Sequence, residues 1–163
     1  MKSLSEEQKK AQADLFEELA DGDKEAITVM YQLVEIADTW DNLIDQDLVV
    51  DPKEVFRAFW HALIDLQLNS FYRRYSDLLT PVLASSIMAW VVANEFEKTG
   101  EAEKVVRAHT LRYMPLNVLM AIGLIKNGPT KMATLGVKLW SVGQPDTLEE
   151  YSKEIKEKYA NVH

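Results

Sequence analysis

Almost every segment of this chain with helical apolar spacing opens on a capping residue and closes near glycine or proline, a punctuation that predicts an all-α fold. Ser3 with Glu6 offers a capping box, and Leu15, Phe16 and Leu19 supply an apolar stripe ahead of the turn Asp21-Gly22-Asp23. A second helix is expected over 23–45. Asp51-Pro52-Lys53-Glu54 then gives an N-cap, a proline at the first helical position and a capping glutamate for helix three. Its expected core stripe is Val55, Phe56, Phe59, Trp60 and Leu63. Thr80-Pro81 repeats the start signal for helix four, which is apolar on every side until Asn94 and stops at Gly100, so it is expected to be buried at the centre. Helix five starts near Glu101 and carries Pro115 inside an apolar-periodic segment, which predicts a kink before the stop at Asn127-Gly128-Pro129. A shorter segment over 130–140, weakened by Gly136, and a polar helix capped by Thr147 and Glu150 complete the chain. Leu48-Val49-Val50 is the one strand-like signal. Together these predict a single domain over residues 1–163, an irregular bundle of about six helices with a buried central helix and a proline-kinked helix five.

Apolar residues make up 47% of the 163 and charged residues 27%, values that exclude a disordered or fibrous chain. With no cysteine, zinc-thiolate sites, thiol catalysis and disulfide scaffolds drop out together. No haem or nucleotide-binding motif is visible either. The N-terminal MKSLSEEQKKAQADL lacks the apolar stretch of a secretory signal, and the apolar runs 82–93 and 118–125 are short for a membrane span, so a soluble cytoplasmic protein is expected. A net charge of -8 argues against salt-driven binding to nucleic acid or to an anionic membrane. The charge is unevenly spread: residues 1–54 hold 15 acidic and 5 basic side chains, whereas 104–145 hold six basic and no acidic ones. Two such ends can attract each other within one fold or form separate faces for different partners.

On helix two, Thr28, Gln32, Glu35, Thr39 and Gln46 share one side, which is expected to face water. Asp38, Asp41 and Asp45 instead extend the arc of Ile27, Met30, Tyr31 and Val34. Carboxylates that continue an apolar face need neutralising, because unpaired ionised groups are costly to bury. One solution is a divalent cation, Mg2+ or Mn2+, held by Asp38, Asp41 and Asp45 with Glu97 from helix four. Asn94, His109 and Arg112 would then contact a phosphorylated small molecule, with Glu95 an alternative to the Asn94–Glu97 pair, and the chemistry would be metal-assisted work on a phosphate or diphosphate ester.

The other solution uses the same residues without catalysis. Arg112, Arg107 or His109 pairs with the aspartates in a buried ion network that fixes helix register. The protein is then a helical interaction or structural accessory protein, with an exposed apolar patch or oligomer interface elsewhere. His61 and Asp65 form a further i, i+4 pair, read as a solvated surface pair beside Arg57, and Leu68 to Tyr75 as core aromatics with flanking surface arginines. Terminal His163 carries no signal.

Three resemblances bear on these readings. Asp41-Asn42-Leu43-Ile44-Asp45 resembles the aspartate-rich first motif of class I isoprenoid synthases, which implies magnesium diphosphate at those carboxylates; Asn42 stands where the usual motif has its second aspartate. Glu35-Ile36-Ala37-Asp38 resembles one half of the paired acidic motifs of all-α nucleotide pyrophosphohydrolases, and helix three offers only Asp65 toward the other half. The string WDNLID followed by SFYRRYSDLLTP resembles small uncharacterised all-helical proteins of tailed bacteriophages. That likeness implies a place inside an infected bacterium or as a virion accessory, and no activity.

Overall fold

The structure, a computed structural model, describes residues 5–45, 49–144 and 146–159. Among them every regular element is helical and there is no strand. The elements are α1 (Glu6–Ala20), α2 (Lys24–Asp45), α3 (Pro52–Trp60) running through a π-helical turn (His61–Asp65) into α4 (Leu66–Leu68), α5 (Ser70–Lys98), α6 (Ala102–Leu111), α7 (Leu116–Gly143) and α8 (Leu148–Tyr159). Gln46 and Leu48 of the expected polar side and strand, with Ser3 and His163, lie outside the described residues, as does the side chain of Asp45.

Local chemistry explains most of the helix ends. Ser5 and Gln8 form the capping box of α1, with the Gln8 amide donating to Ser5 Oγ at 3.2 Å and the Ser5 amide to Gln8 Oε1 at 2.9 Å. Asp23 Oδ1 accepts from the Glu25 amide at 3.0 Å to start α2, and Asp51 Oδ1 from the Lys53 amide at 2.8 Å to start α3, with Pro52 at the first helical position. Thr147 and Glu150 cap α8 reciprocally, the Glu150 amide donating to Thr147 Oγ1 at 3.2 Å.

The division into helices departs from the expected six at two prolines. Pro81 does not start a helix; α5 begins eleven residues earlier, where Asn69 Oδ1 accepts from the Tyr72 amide at 2.9 Å, and runs through Pro81. Pro115 does not kink a helix but ends a turn that separates α6 from α7, built from i→i+3 bonds such as Met114 to the Leu111 carbonyl at 3.1 Å. The Met114 carbonyl in this turn accepts from the Asn117 amide at 2.9 Å and also from Ser86 Oγ of α5 at 3.0 Å. The true break in the later chain is at Gly128, whose φ of 71° is in the left-handed region, just before Pro129. The two arms of α7 fold back on one another there. A Cβ added to Gly123 would come within 2.6 Å of Met132 Sδ and 2.8 Å of Leu19 Cδ2, and one added to Gly143 within 2.6 Å of Leu116 Cδ2. Glycine at these positions lets the arms and α1 approach closely.

The main core gathers Leu15, Phe16 and Leu19 of α1, Val29 and Met30 of α2, Phe71 and Leu79 of α5, and Leu119, Ile122 and Leu139 of α7. Each such side chain contributes about 1.5–3 kcal/mol when taken from water. Phe71 and Tyr72 are buried while Arg73 and Arg74 are exposed, as the sequence suggested for that segment. A smaller cluster joins Ala93 of α5, Val105 and Ala108 of α6, and Tyr151 and Ile155 of α8. The acidic and basic ends of the chain meet within the fold: Lys126 reaches Asp23 at 2.8 Å, Lys131 reaches Asp21 at 3.1 Å, and Lys138 pairs with Glu18.

Two helices are turned differently from expectation. The α5 helix is buried along one side only; Leu78, Met88, Val91 and Val92 are exposed, so it is not a fully buried central helix. It is long and apolar enough to cross a membrane by length and composition, and 22% of its most apolar window is buried. In α3 the expected core stripe faces outward: Phe56, Phe59, Trp60 and Leu63 are exposed and Val55 is half-buried.

Candidate functional site

The orientation of α3 follows from what α2 presents to it. Gln32 and Thr39, on the side of α2 expected to face water, are buried, and Glu35 between them is half-buried. Opposite lie the polar residues of α3. Arg57 Nε donates to Glu35 Oε1, and His61 Nε2 stands 3.5 Å from Glu35 Oε2. Asp65 Oδ2 lies 2.7 Å from His61 Nδ1, and its Oδ1 accepts from the Trp60 indole at 3.1 Å. Polar side therefore packs on polar side, and His61 with Asp65 is an inter-helix element instead of a solvated surface pair. The π turn assists. The Leu66 amide donates to the His61 carbonyl, an i→i+5 bond that absorbs one extra residue. Ala58 and Leu66 are both buried eight residues apart, whereas an uninterrupted α-helix would return to the Ala58 face at Asp65.

The second cluster holds most of the residues singled out on helix two and its neighbours. Asp41 of α2 accepts from the Trp90 indole of α5 through Oδ1 at 3.0 Å, and the same oxygen is 3.8 Å from an Arg112 guanidinium nitrogen. The other terminal nitrogen of Arg112 lies 3.5 Å from Glu97 Oε1, which also accepts from the Tyr151 hydroxyl of α8. Glu97 is 1% exposed, so this oxygen sits in the interior with a guanidinium and a phenol as donors. The Arg112 guanidinium lies over the Tyr151 ring at 5.5 Å from its centroid. Trp40 packs on Trp90 at 4.8 Å between ring centroids.

Electrostatics agree with this geometry. Burial alone would lower the Arg112 pKa, but Glu97 and Asp41 more than offset it, so the guanidinium is held charged above its ordinary range. Burial and the hydrogen bond to Glu97 push the Tyr151 hydroxyl up, keeping it a donor. Asp38 differs from Asp41. It is half-buried, and among the described residues no cation pairs with it. Burial pushes its carboxyl up to about 6, with Asp41 and Glu35 adding to the rise.

The structure thus brings Asp41, Glu97 and Arg112 together and places Asn94, also buried, one turn before Glu97 on α5. His109 lies beside them: its ring is 5.0 Å from that of Tyr151, and Nε2 is 3.2 Å from the Asp146 carbonyl. Arg107 points elsewhere, to Glu103 one turn back on the α6 surface, and Glu95 to Lys98. Among the described residues no three His, Asp or Glu side chains converge as a metal ion requires. Trp90 and Tyr151 were not foreseen; the Tyr151–Ile155 spacing on an otherwise polar helix was the available signal. No protein-family model, curated protein or solved structure matches this chain.

Proposed function

We propose that this chain is a non-catalytic helical interaction protein whose α2 carboxylates serve the fold and whose work is done by an apolar helix face. The observation that carries the reading is Arg112, which stands between Asp41 and Glu97. A guanidinium so placed supplies the positive charge that a divalent cation would otherwise bring, and repels such a cation from the same oxygens. The Trp90 indole takes a further lone pair of Asp41 Oδ1. The outward stripe of α3 supports the second half of the reading, since apolar patches of this kind mark contact surfaces.

Asp38 favours a second reading. A half-buried carboxylate with its pKa pushed up to about 6 and no cation beside it among the described residues is where Mg2+ or Mn2+ would gain most. The phosphate-ester chemistry expected from the aspartate cluster would start there.

The Trp90 indole N–H separates the two. Titrating Mn2+ while following the indole signals by NMR leaves the Trp90 resonance sharp if Asp41 belongs to Arg112. Broadening of the Trp90 resonance, together with that of the adjacent Trp40, at low metal concentration would reject the non-catalytic reading.

A further inference from the structure

We infer that the exposed face of α3 is a self-association surface, covered in solution by the same face of a second copy of this chain. This inference rests on the interaction-protein reading and names its partner.

The face is built by Phe56, Phe59, Trp60, Leu63 and Leu68, whose exposures run from 48% to 71%. The first four follow the i, i+3, i+4, i+7 spacing of one helical stripe. Leu68 joins them because of the π turn: the one residue it absorbs sets Leu68 where position 67 of an uninterrupted α-helix would be, in line with Trp60. Phe56 and Trp60 already pack on each other at 5.9 Å between centroids. From those exposures the stripe shows about 600 Å² of apolar surface, taking ordinary side-chain areas. A stable interface removes about 800 Å² from each partner, a little over half of it apolar. The stripe alone therefore supplies the apolar part of a standard dimer contact.

Charge points to a copy of the chain in antiparallel register. The protein as a whole carries -8, which opposes association, yet residues 52–68 hold Lys53 and Arg57 against Glu54 and Asp65 and are neutral. Lys53, three residues before Phe56, adjoins the stripe, whereas Arg57 is turned to Glu35 of α2, and the second half holds neither lysine nor arginine. A two-fold axis near Trp60 lays each first half over the partner's second half, so apolar meets apolar and no cation faces a cation. It also opposes the helix dipoles. Nothing must be rearranged in the monomer, because the polar side of α3 is already occupied by α2.

The test is sedimentation of the full chain across about 1–200 µM, a range that reveals dissociation constants of ordinary dimers. A dimer is expected, converted to monomer by Leu63→Glu and by the milder Leu63→Ser, both at an exposed position and both checked for helicity by circular dichroism. Met88→Glu, on the exposed side of α5, should leave the dimer intact. The absence of native cysteine permits a second readout: Phe59→Cys should yield a disulfide-linked dimer under mild oxidant and Met88→Cys should not. A monomer throughout the range overturns the inference, as does a dimer dissolved by Met88→Glu and not by Leu63→Glu. So does a monomer that binds phosphatidylcholine vesicles through Leu63, which would assign the face to lipid. None of these outcomes touches the pairing of Arg112 with Asp41, which the manganese titration decides separately.

Discussion

Glu35 Oε2 of α2 and His61 Nε2 of α3 lie 3.5 Å apart, and this contact joins the polar sides of two amphipathic helices. Arg57 pairs with the other oxygen of the same carboxylate and Asp65 holds the other nitrogen of the same imidazole. Turning α3 this way leaves Phe56, Phe59 and Leu63 outward. The arrangement costs apolar burial in the monomer, a cost that a partner on that face would offset.

If Glu35 is the hub of the α2–α3 contact, Glu35→Ala should lower stability by about 1 kcal/mol, the scale of partly exposed ion pairs. Arg57→Ala added to Glu35→Ala should then cost nothing more, because the two act as one unit. Urea unfolding measures both, and trypsin should cut faster after Lys53 in the single variant. Equal additive losses would show that the contact is not shared.

Arg112 neutralises a carboxylate that has no access to water. Arg112→Met takes the guanidinium away from the buried Glu97 carboxylate and should cost about 3–5 kcal/mol, as breaking a buried pair does. Replacing both members, Arg112→Met with Glu97→Leu, should recover more than half of that loss, since the fully buried charge is removed and the partly exposed Asp41 keeps its Trp90 donor. Denaturant midpoints of the two variants provide the comparison. A double variant as unstable as the single one would place the cost elsewhere.

How much of this was legible in the sequence divides along a physical line. Capping at Asp51, Thr147 and Asp23 depends on neighbours within four residues and reads directly, as does the Gly128 break. The pairing of Arg112 with Asp41 was among the alternatives because only a cation could neutralise an apolar-face carboxylate. Helical spacing, however, tells which residues share a face and not which face points inward. Phe56, Phe59, Trp60 and Leu63 do share one, and so do Arg57, His61 and Asp65; the choice between them was made by the polar side of α2, a contact distant in sequence. Pro115 misled in a similar way, because a proline after a turn and a proline within a kinked helix leave the same local pattern.

Asp38 gives the fold a pH dependence of definite sign. Its folded pKa of about 6 is raised above the ordinary 3.8, so its favourable contribution is complete below about pH 4 and is lost as the pH rises through 6. The ionised group then costs about 2–3 kcal/mol at neutral pH. Asp38→Asn should therefore raise the thermal midpoint by several degrees at pH 7.5 and leave it almost unchanged at pH 4. The same rise at both values would mean that Asp38 titrates normally in the fold.

The most direct test of the central claim is thermal unfolding of the wild type and Asp41→Asn, each with and without millimolar Mg2+ or Mn2+, since a ligand bound to the native state raises the midpoint by mass action. Metal should leave the wild-type midpoint unchanged, and Asp41→Asn alone should lower it by weakening the hold on Arg112 and Trp90. A metal-dependent rise in the wild type that disappears in Asp41→Asn would contradict the account and make the aspartate cluster a metal site.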